Sequence, residues 1–60
     1  MTKVKIQELI KRHEIIENDL ANELLSLGDE PTDHRKRIVR ILALEADILV
    51  SLDVLLHTVQ

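Results

Sequence analysis

Three residues of this 60-residue chain could carry chemistry, because His13, Glu17 and Glu45 interrupt otherwise apolar helical patterns. Carboxylate and imidazole groups bind divalent transition metals, and carboxylate-bridged dinuclear centres in helical bundles are built from them. Those centres use the order Glu-x-x-His on one helix, whereas here His13 stands four residues before Glu17. Two carboxylates per chain make a thin ligand set, so no metal ligand is assigned and a metal centre stays the less favoured alternative.

The same three residues are better suited to a structural role. An isolated charge in an apolar seam costs on the order of several kcal/mol unless it is paired. In an antiparallel hairpin that turns near residue 30, residues whose numbers add to about 60 lie at the same height, so His13 faces Glu45. We predict a buried polar layer of His13, Glu17 and Glu45 that fixes helix register and oligomeric state. Escape of these side chains to the bundle edge is the other alternative.

Two further patterns resemble catalytic motifs and fail. The run from His13 to Glu17 begins like the zinc-protease motif His-Glu-x-x-His, but its last position is Glu. Asp53 and His57 form an i, i+4 pair with no nucleophile beside them, since Ser51 lies on another face and Cys is absent. An ion pair at a helix end is predicted instead. We therefore expect no enzyme, no catalytic or cofactor-binding residue and no cofactor.

A basic cluster runs from His34 to Arg37 and continues one turn later at Arg40. At the start of a helix it opposes the dipole, and nearby acidic residues are expected to offset it. We predict a solvated helix end with local ion pairs. The alternative is contact with phosphate or an acidic partner through Arg35, Lys36, Arg37 and Arg40. Aromatic residues are absent, so base stacking is excluded as a binding mode.

Composition restricts the partners and the compartment. The formal net charge is -3, which disfavours electrostatically driven binding to nucleic acid or to an anionic membrane. The most apolar stretch, residues 38–59, is interrupted by several charges, which a membrane span would not tolerate. The N-terminus has no uninterrupted apolar run, so a signal peptide is not expected. Because the chain has no Cys and shows these features, we expect a soluble cytoplasmic protein that does not bind membranes.

A single break organises the chain, because its one glycine and one proline are Gly28 and Pro31. Gly28 suits the left-handed end of a first helix that Thr2 can cap. Pro31 suits the first turn of a second helix. The sequence predicts one all-α domain over residues 1–60: helix 1 at about 2–27, a turn at 28–31, and helix 2 at about 32–59. The short turn makes it an antiparallel αα-hairpin.

The two helices differ in how much surface they must bury. Helix 1 has one apolar arc, whereas helix 2 has a main arc and a second stripe of smaller residues. The helix 1 arc comprises Ile6, Leu9, Ile10, Ile16, Leu20, Ala21, Leu24 and Leu27. The main arc of helix 2 comprises Ile38, Ile41, Leu42, Ile48, Leu49, Leu52, Leu55, Leu56 and Val59. The second stripe, which we call the α2 stripe, comprises Val39, Ala43, Ala46 and Val50. A lone hairpin cannot cover both, so we predict a homodimer that forms a four-helix bundle.

In length and in its plan of two helices about a short turn, the chain resembles Rop, a family of small plasmid RNA-binding proteins that are dimers of αα-hairpins. The resemblance is one of architecture, with no shared motif. The basic helix 1 face of that family is not reproduced, since acidic residues flank Lys11 and Arg12. What the resemblance implies is an alternative function, binding of RNA or DNA through the basic patch at the start of helix 2.

The surplus apolar surface, the mild acidity and the absence of catalytic motifs together favour an interaction protein. We expect a small non-enzymatic regulatory or adaptor protein that self-associates and docks another protein through a helical surface. Nucleic acid is the less favoured partner. The residues expected at the oligomer or partner interface are the α2 stripe (Val39, Ala43, Ala46 and Val50) together with Ile38, Leu42, Leu49, Leu52 and Leu56.

Overall fold

A computed structural model describes residues 1–59 as two α-helices that pack against each other. Helix α1 spans Lys3–Ser26 and helix α2 spans Asp33–Thr58. The predicted helical hairpin is confirmed. Neither helix of the described chain contains a stretch long and apolar enough to cross a membrane.

Each helix begins at a threonine cap. The hydroxyl of Thr2 accepts a hydrogen bond from the Lys5 amide at 3.2 Å, and that of Thr32 accepts one from the Arg35 amide at 3.1 Å. Both threonines have extended backbone angles and satisfy an amide that has no partner within the helix. These caps explain why each helix starts one residue after the threonine.

The chain reverses between Leu27 and Thr32. Gly28 has a φ of 74°, a left-handed conformation that a residue with a side chain adopts only at a cost. The Thr32 amide donates to the Glu30 carbonyl at 2.8 Å on the other side of Pro31, which tightens the entry into α2. A connection this short leaves the helices no arrangement except antiparallel neighbours.

The hairpin is a thin rod with extents of 46 × 14 × 12 Å. Its buried and half-buried residues recur at alternating spacings of four and three, which is typical of helices packed nearly side by side. Besides half-buried Leu9, Ala21 and Arg35, which lie at its edges, this strip comprises Ile6, Ile10, His13, Glu17, Leu20 and Leu24 of α1 and Ile38, Leu42, Glu45, Leu49, Leu52 and Leu56 of α2. We call this strip the seam. Among residues 1–59 only Ile6, Ile38 and Glu45 are buried, and the others keep a larger exposed fraction.

The seam is narrower than the arcs predicted from the sequence. Ile16, Ile41, Ile48 and Leu55 were expected beside the seam residues, yet all four are exposed. The reason is geometric, because one neighbouring helix covers only the strip that directly faces it. Apolar residues on the flanks of that strip are therefore exposed to solvent in the single hairpin.

Candidate functional site

The polar residues predicted to meet in the seam do so in part. The imidazole Nδ1 of His13 hydrogen-bonds Glu45 Oε1, near the middle of the rod. Glu45 is only 6% exposed, so this contact supplies the partner that a buried carboxylate requires. No buried side-chain nitrogen or oxygen within residues 1–59 is left without a hydrogen-bond partner. The pair is therefore a satisfied polar contact inside an apolar seam.

Glu17 lies one turn after His13 and is half-buried at the edge of the seam. It forms no ion pair or side-chain hydrogen bond with another described residue. Within residues 1–59 no three His, Asp or Glu side chains come together in a way that could hold a metal ion. The layer in one hairpin is thus the pair of His13 and Glu45, with Glu17 beside it.

Arg35 of the basic cluster folds back over the end of α1. Its guanidinium donates to the Gly28 carbonyl at 2.6 Å and reaches the Leu24 carbonyl at 3.5 Å. The last carbonyls of a helix lack partners within it, and a cation there also complements the helix dipole. Arg35 therefore acts as a cap that ties α2 to α1, a role that sequence analysis missed. No local pattern signals it, since it depends on the path of the turn.

The other members of the cluster remain at the surface. Lys36, Arg37 and Arg40 line one shallow depression together with Asp33. All four residues are exposed, and Asp33 in the first turn of α2 partly offsets the positive charge. His34 lies on another side, where its Nε2 is 3.9 Å from Glu23 Oε1 of α1. The basic surface available to an anion thus consists of Lys36, Arg37 and Arg40.

Two groups of contacts establish which sides of the helices lie together. Glu23 and His34 meet on one side of the seam. On the opposite side, a single depression is lined by Gln7, Ile10, Lys11 and Glu14 of α1 and by Asp53 and Leu56 of α2. Residues seven apart on a helix point in directions that differ by about 20°. Ile16 therefore shares a side with Glu23, and Ile41 shares that same side with His34.

This side of the hairpin carries an extensive exposed apolar surface, which we call the broad face. Helix α2 contributes exposed Ile41, Leu44, Ile48 and Leu55, and α1 contributes exposed Ile16 and half-buried Leu9.

Leu44 is 57% exposed and lies with Ile48 and Leu55 along an apolar depression that also contains Asp47, Ser51 and Leu52. Sequence analysis left Leu44 out of both apolar groups, although its spacing from Ile41 and Ile48 repeats the rhythm of the seam.

The α2 stripe lies across α2 from the broad face. Val39 and Val50 are 47% and 64% exposed, and Ala43 and Ala46 are exposed as well. The other residues predicted at an interface, Ile38, Leu42, Leu49, Leu52 and Leu56, lie in the seam and are buried or half-buried. In a chain of two helices that burial comes from α1, so these five residues contribute to the hairpin itself.

The pair of Asp53 and His57 lies at the exposed end of α2. The Nδ1–H of His57 donates to the Asp53 backbone carbonyl at 2.7 Å, and the same nitrogen is 3.7 Å from the Asp53 carboxylate. A histidine in the last turn suits the negative end of the helix dipole. The geometry is that of a helix-end contact, as the spacing predicts.

The fold and these surfaces define a two-helix hairpin in which α2 exposes more apolar side chains than α1. Comparison with models of known protein families, with curated proteins and with solved structures finds no match to this chain.

Proposed function

We propose that this chain is a small non-enzymatic regulatory or adaptor protein that acts by self-association and by helix-mediated contact with another protein. The observation that supports the proposal is the distribution of its apolar side chains. Among the described residues, Ile6 and Ile38 are the only buried apolar side chains, whereas seven large apolar residues of α2 are exposed. Those seven are Val39, Ile41, Leu44, Ile48, Val50, Val54 and Leu55.

Such a core is small even for a chain of this length. Single cores of this size rarely supply more than roughly 3–5 kcal/mol, and disulfides, metals or oligomerisation usually supplement them. Cys is absent from the sequence, which removes disulfides. Burial of the exposed α2 residues against another protein surface adds apolar contact without any change in the hairpin. Homodimerisation into a four-helix bundle is the simplest arrangement of that kind.

Sedimentation equilibrium from micromolar to millimolar concentration tests the proposal directly. We expect the apparent mass to reach at least that of a dimer, with thermal stability that rises with protein concentration. A chain that sediments as a folded monomer over the whole range would contradict self-association. Circular dichroism of the same samples shows whether a monomeric species is folded.

The α2 stripe supplies a second test. Ala43→Glu or Ala46→Glu places a charge among exposed apolar residues and is expected to disrupt assembly or partner binding. Arg40→Glu is the matched control, because it changes charge on α2 outside the stripe. Retention of both assembly and partner binding in the two alanine variants would show that the stripe is not an interaction surface.

A second candidate function is nucleic-acid binding through Lys36, Arg37 and Arg40. The observation that favours it is their convergence on one surface depression, where they could contact successive phosphates. The net charge of -3 acts against it, so binding would be confined to low salt.

A further inference from the structure

We infer that the broad face is the homodimer interface, and that two hairpins stack on it antiparallel, with the turn of each at the open end of the other. The inference rests on the self-association proposed above and specifies its surface, its occupant and its orientation. In this arrangement α2 packs against α2 of the second copy, and α1 packs against α1. The α2 stripe is left uncovered for a protein partner.

The surface area of the hairpin is suited to a second copy. The isolated hairpin exposes 4746 Å², whereas a compact monomer of the same mass exposes about 4000 Å². The excess of about 750 Å² is close to the roughly 800 Å² that each partner contributes to a standard stable interface. One more hairpin of the same width, stacked face to face, could therefore cover the excess without an additional domain.

The broad face suits this stacking better than the α2 stripe, because both helices contribute to it. Ile16 of α1 and Ile41 and Ile48 of α2 lie on the same side of the rod and flank the seam. Two hairpins that stack through this side bury apolar residues of all four helices at once. The α2 stripe lies on one helix and contains two alanines, so it suits a single partner helix.

Charge favours the antiparallel orientation. Arg37 lies on the broad side near the turn, one turn before Ile41. If both turns were at the same end, the two copies of Arg37 and of the neighbouring basic residues would lie at one end of the bundle and would repel each other. In the antiparallel stack these clusters lie at opposite ends of a rod 46 Å long.

Lys5 and Glu23 provide an independent argument for the same orientation. They lie about five turns apart at one angular position on α1, about 20° from that of Ile16, so both lie on the broad side of α1, where Lys5 is near Glu8 and Glu23 is near His34. Their midpoint is residue 14, close to the centre of α1. A dyad at that height places Lys5 of one hairpin opposite Glu23 of the second copy, whereas a stack with both turns at one end does not.

The height of the dyad predicts specific neighbours. Residues of α1 and α2 at one height have numbers that add to 58, as His13 and Glu45 do. A dyad at residue 14 therefore crosses α2 close to residue 44. Two copies of Leu44 then lie next to each other across the dyad. Ile41 of each hairpin faces Ile48 of the second copy, because these residues are spaced almost evenly about the dyad.

Disulfide formation between single cysteines tests this geometry in the full chain, which has no Cys of its own. We expect Leu44→Cys to form a covalent homodimer under mild oxidation. An equimolar mixture of Ile41→Cys and Ile48→Cys is expected to give mainly the mixed dimer. Val50→Cys in the α2 stripe is the matched control and should stay largely monomeric on a denaturing gel.

A stack with both turns at one end would give a different cross-linking result. If both turns lay at one end, Ile41 would face Ile16 of the second copy, and the mixture of Ile16→Cys with Ile41→Cys would give the mixed dimer. That result, or efficient cross-linking of Val50→Cys without Leu44→Cys, would overturn the inference while leaving self-association intact. Absence of any oligomer in sedimentation would instead refute the proposed function.

A charge at Leu44 provides a measurement that does not depend on cross-linking. Leu44 lies outside the seam, so Leu44→Glu is expected to keep its helix content. It places two carboxylates next to the dyad and should raise the dimer dissociation constant by about 100-fold or more. Leu25→Glu is the matched control, because Leu25 is 81% exposed on the side of α1 away from the broad face. Equal weakening by both variants, or by neither, would overturn the assignment of this face.

Discussion

The side chains of His13 and Glu45 hydrogen-bond across the seam, and this contact defines which heights of α1 and α2 coincide. Two other contacts agree with it. Glu23 meets His34, and the Arg35 guanidinium reaches the Leu24 carbonyl, so the paired residue numbers add to between 57 and 59 in all three contacts. A shift of one helix by a single turn would break all of them together.

Glu45 is the buried member of this pair, so the single replacement of its partner should change stability in the opposite direction to the replacement of both residues. His13→Leu leaves Glu45, at 6% exposure, without its partner. We expect the free energy of unfolding to fall by about 2–3 kcal/mol, the cost of a buried polar group left unsatisfied. Urea unfolding followed by circular dichroism, at one fixed protein concentration, measures the change.

The double replacement His13→Leu with Glu45→Leu should behave in the opposite way. It removes both polar groups from an apolar seam, and such replacements are often neutral or stabilising by about 1–4 kcal/mol. We expect higher stability than that of the unmodified chain, together with a less uniquely defined register or oligomer number. If the double variant is less stable, the histidine and glutamate make a net stabilising contact.

Arg35 should contribute to stability in a way that Lys36 does not. Arg35→Ala removes the donor to the Gly28 carbonyl and leaves the end of α1 uncapped. The expected loss is about 1 kcal/mol, since the group is close to the surface. Lys36→Ala removes the same charge from the same helical turn and is the matched control. Equal unfolding midpoints for the two variants would show that the contact with Gly28 contributes nothing.

Gly28 should tolerate a larger residue sterically but not conformationally. A methyl group at this position would meet nothing within 4 Å, yet the φ of 74° is unfavourable for alanine. Gly28→Ala is therefore expected to cost about 1 kcal/mol. Gly28→Asn should cost less, because Asn adopts left-handed conformations more readily. Thermal unfolding at matched concentration distinguishes them, and equal effects would contradict the explanation from the left-handed backbone conformation.

Much of the hairpin could be predicted because local signals determine it. The break at Gly28 and Pro31 defines the two helices, and a short turn leaves only the antiparallel arrangement. From that arrangement the opposition of His13 and Glu45 follows by counting residues from the turn. The fold thus depends on spacing along the chain, which a single sequence contains in full.

The surfaces were harder to predict, because they depend on which neighbour covers which strip. A helical wheel groups Ile41 and Ile48 with the seam, but one packed helix leaves both exposed. The place of Leu44 beside exposed Ile41 and Ile48 became clear only from the structure, which shows which side of α2 lies against α1. Likewise, Arg35 was grouped with Lys36 by charge, whereas the path of the turn directs its guanidinium to backbone carbonyls.

The nucleic-acid candidate predicts a gel shift with a short RNA or DNA duplex that depends on Lys36 and Arg40. These residues and Arg37 remain at the surface, whereas Arg35 is engaged with Gly28. The variant Lys36→Ala with Arg40→Ala should lose the shift at low salt. Lys11→Ala with Arg12→Ala removes the same charge from α1 and should retain the gel shift.

For duplex DNA, the logarithm of the binding affinity should fall as the logarithm of the salt concentration rises, with a slope of about 0.9 per phosphate contacted. Equal loss in both variants would indicate nonspecific attraction, and no shift at the lowest salt would exclude this function.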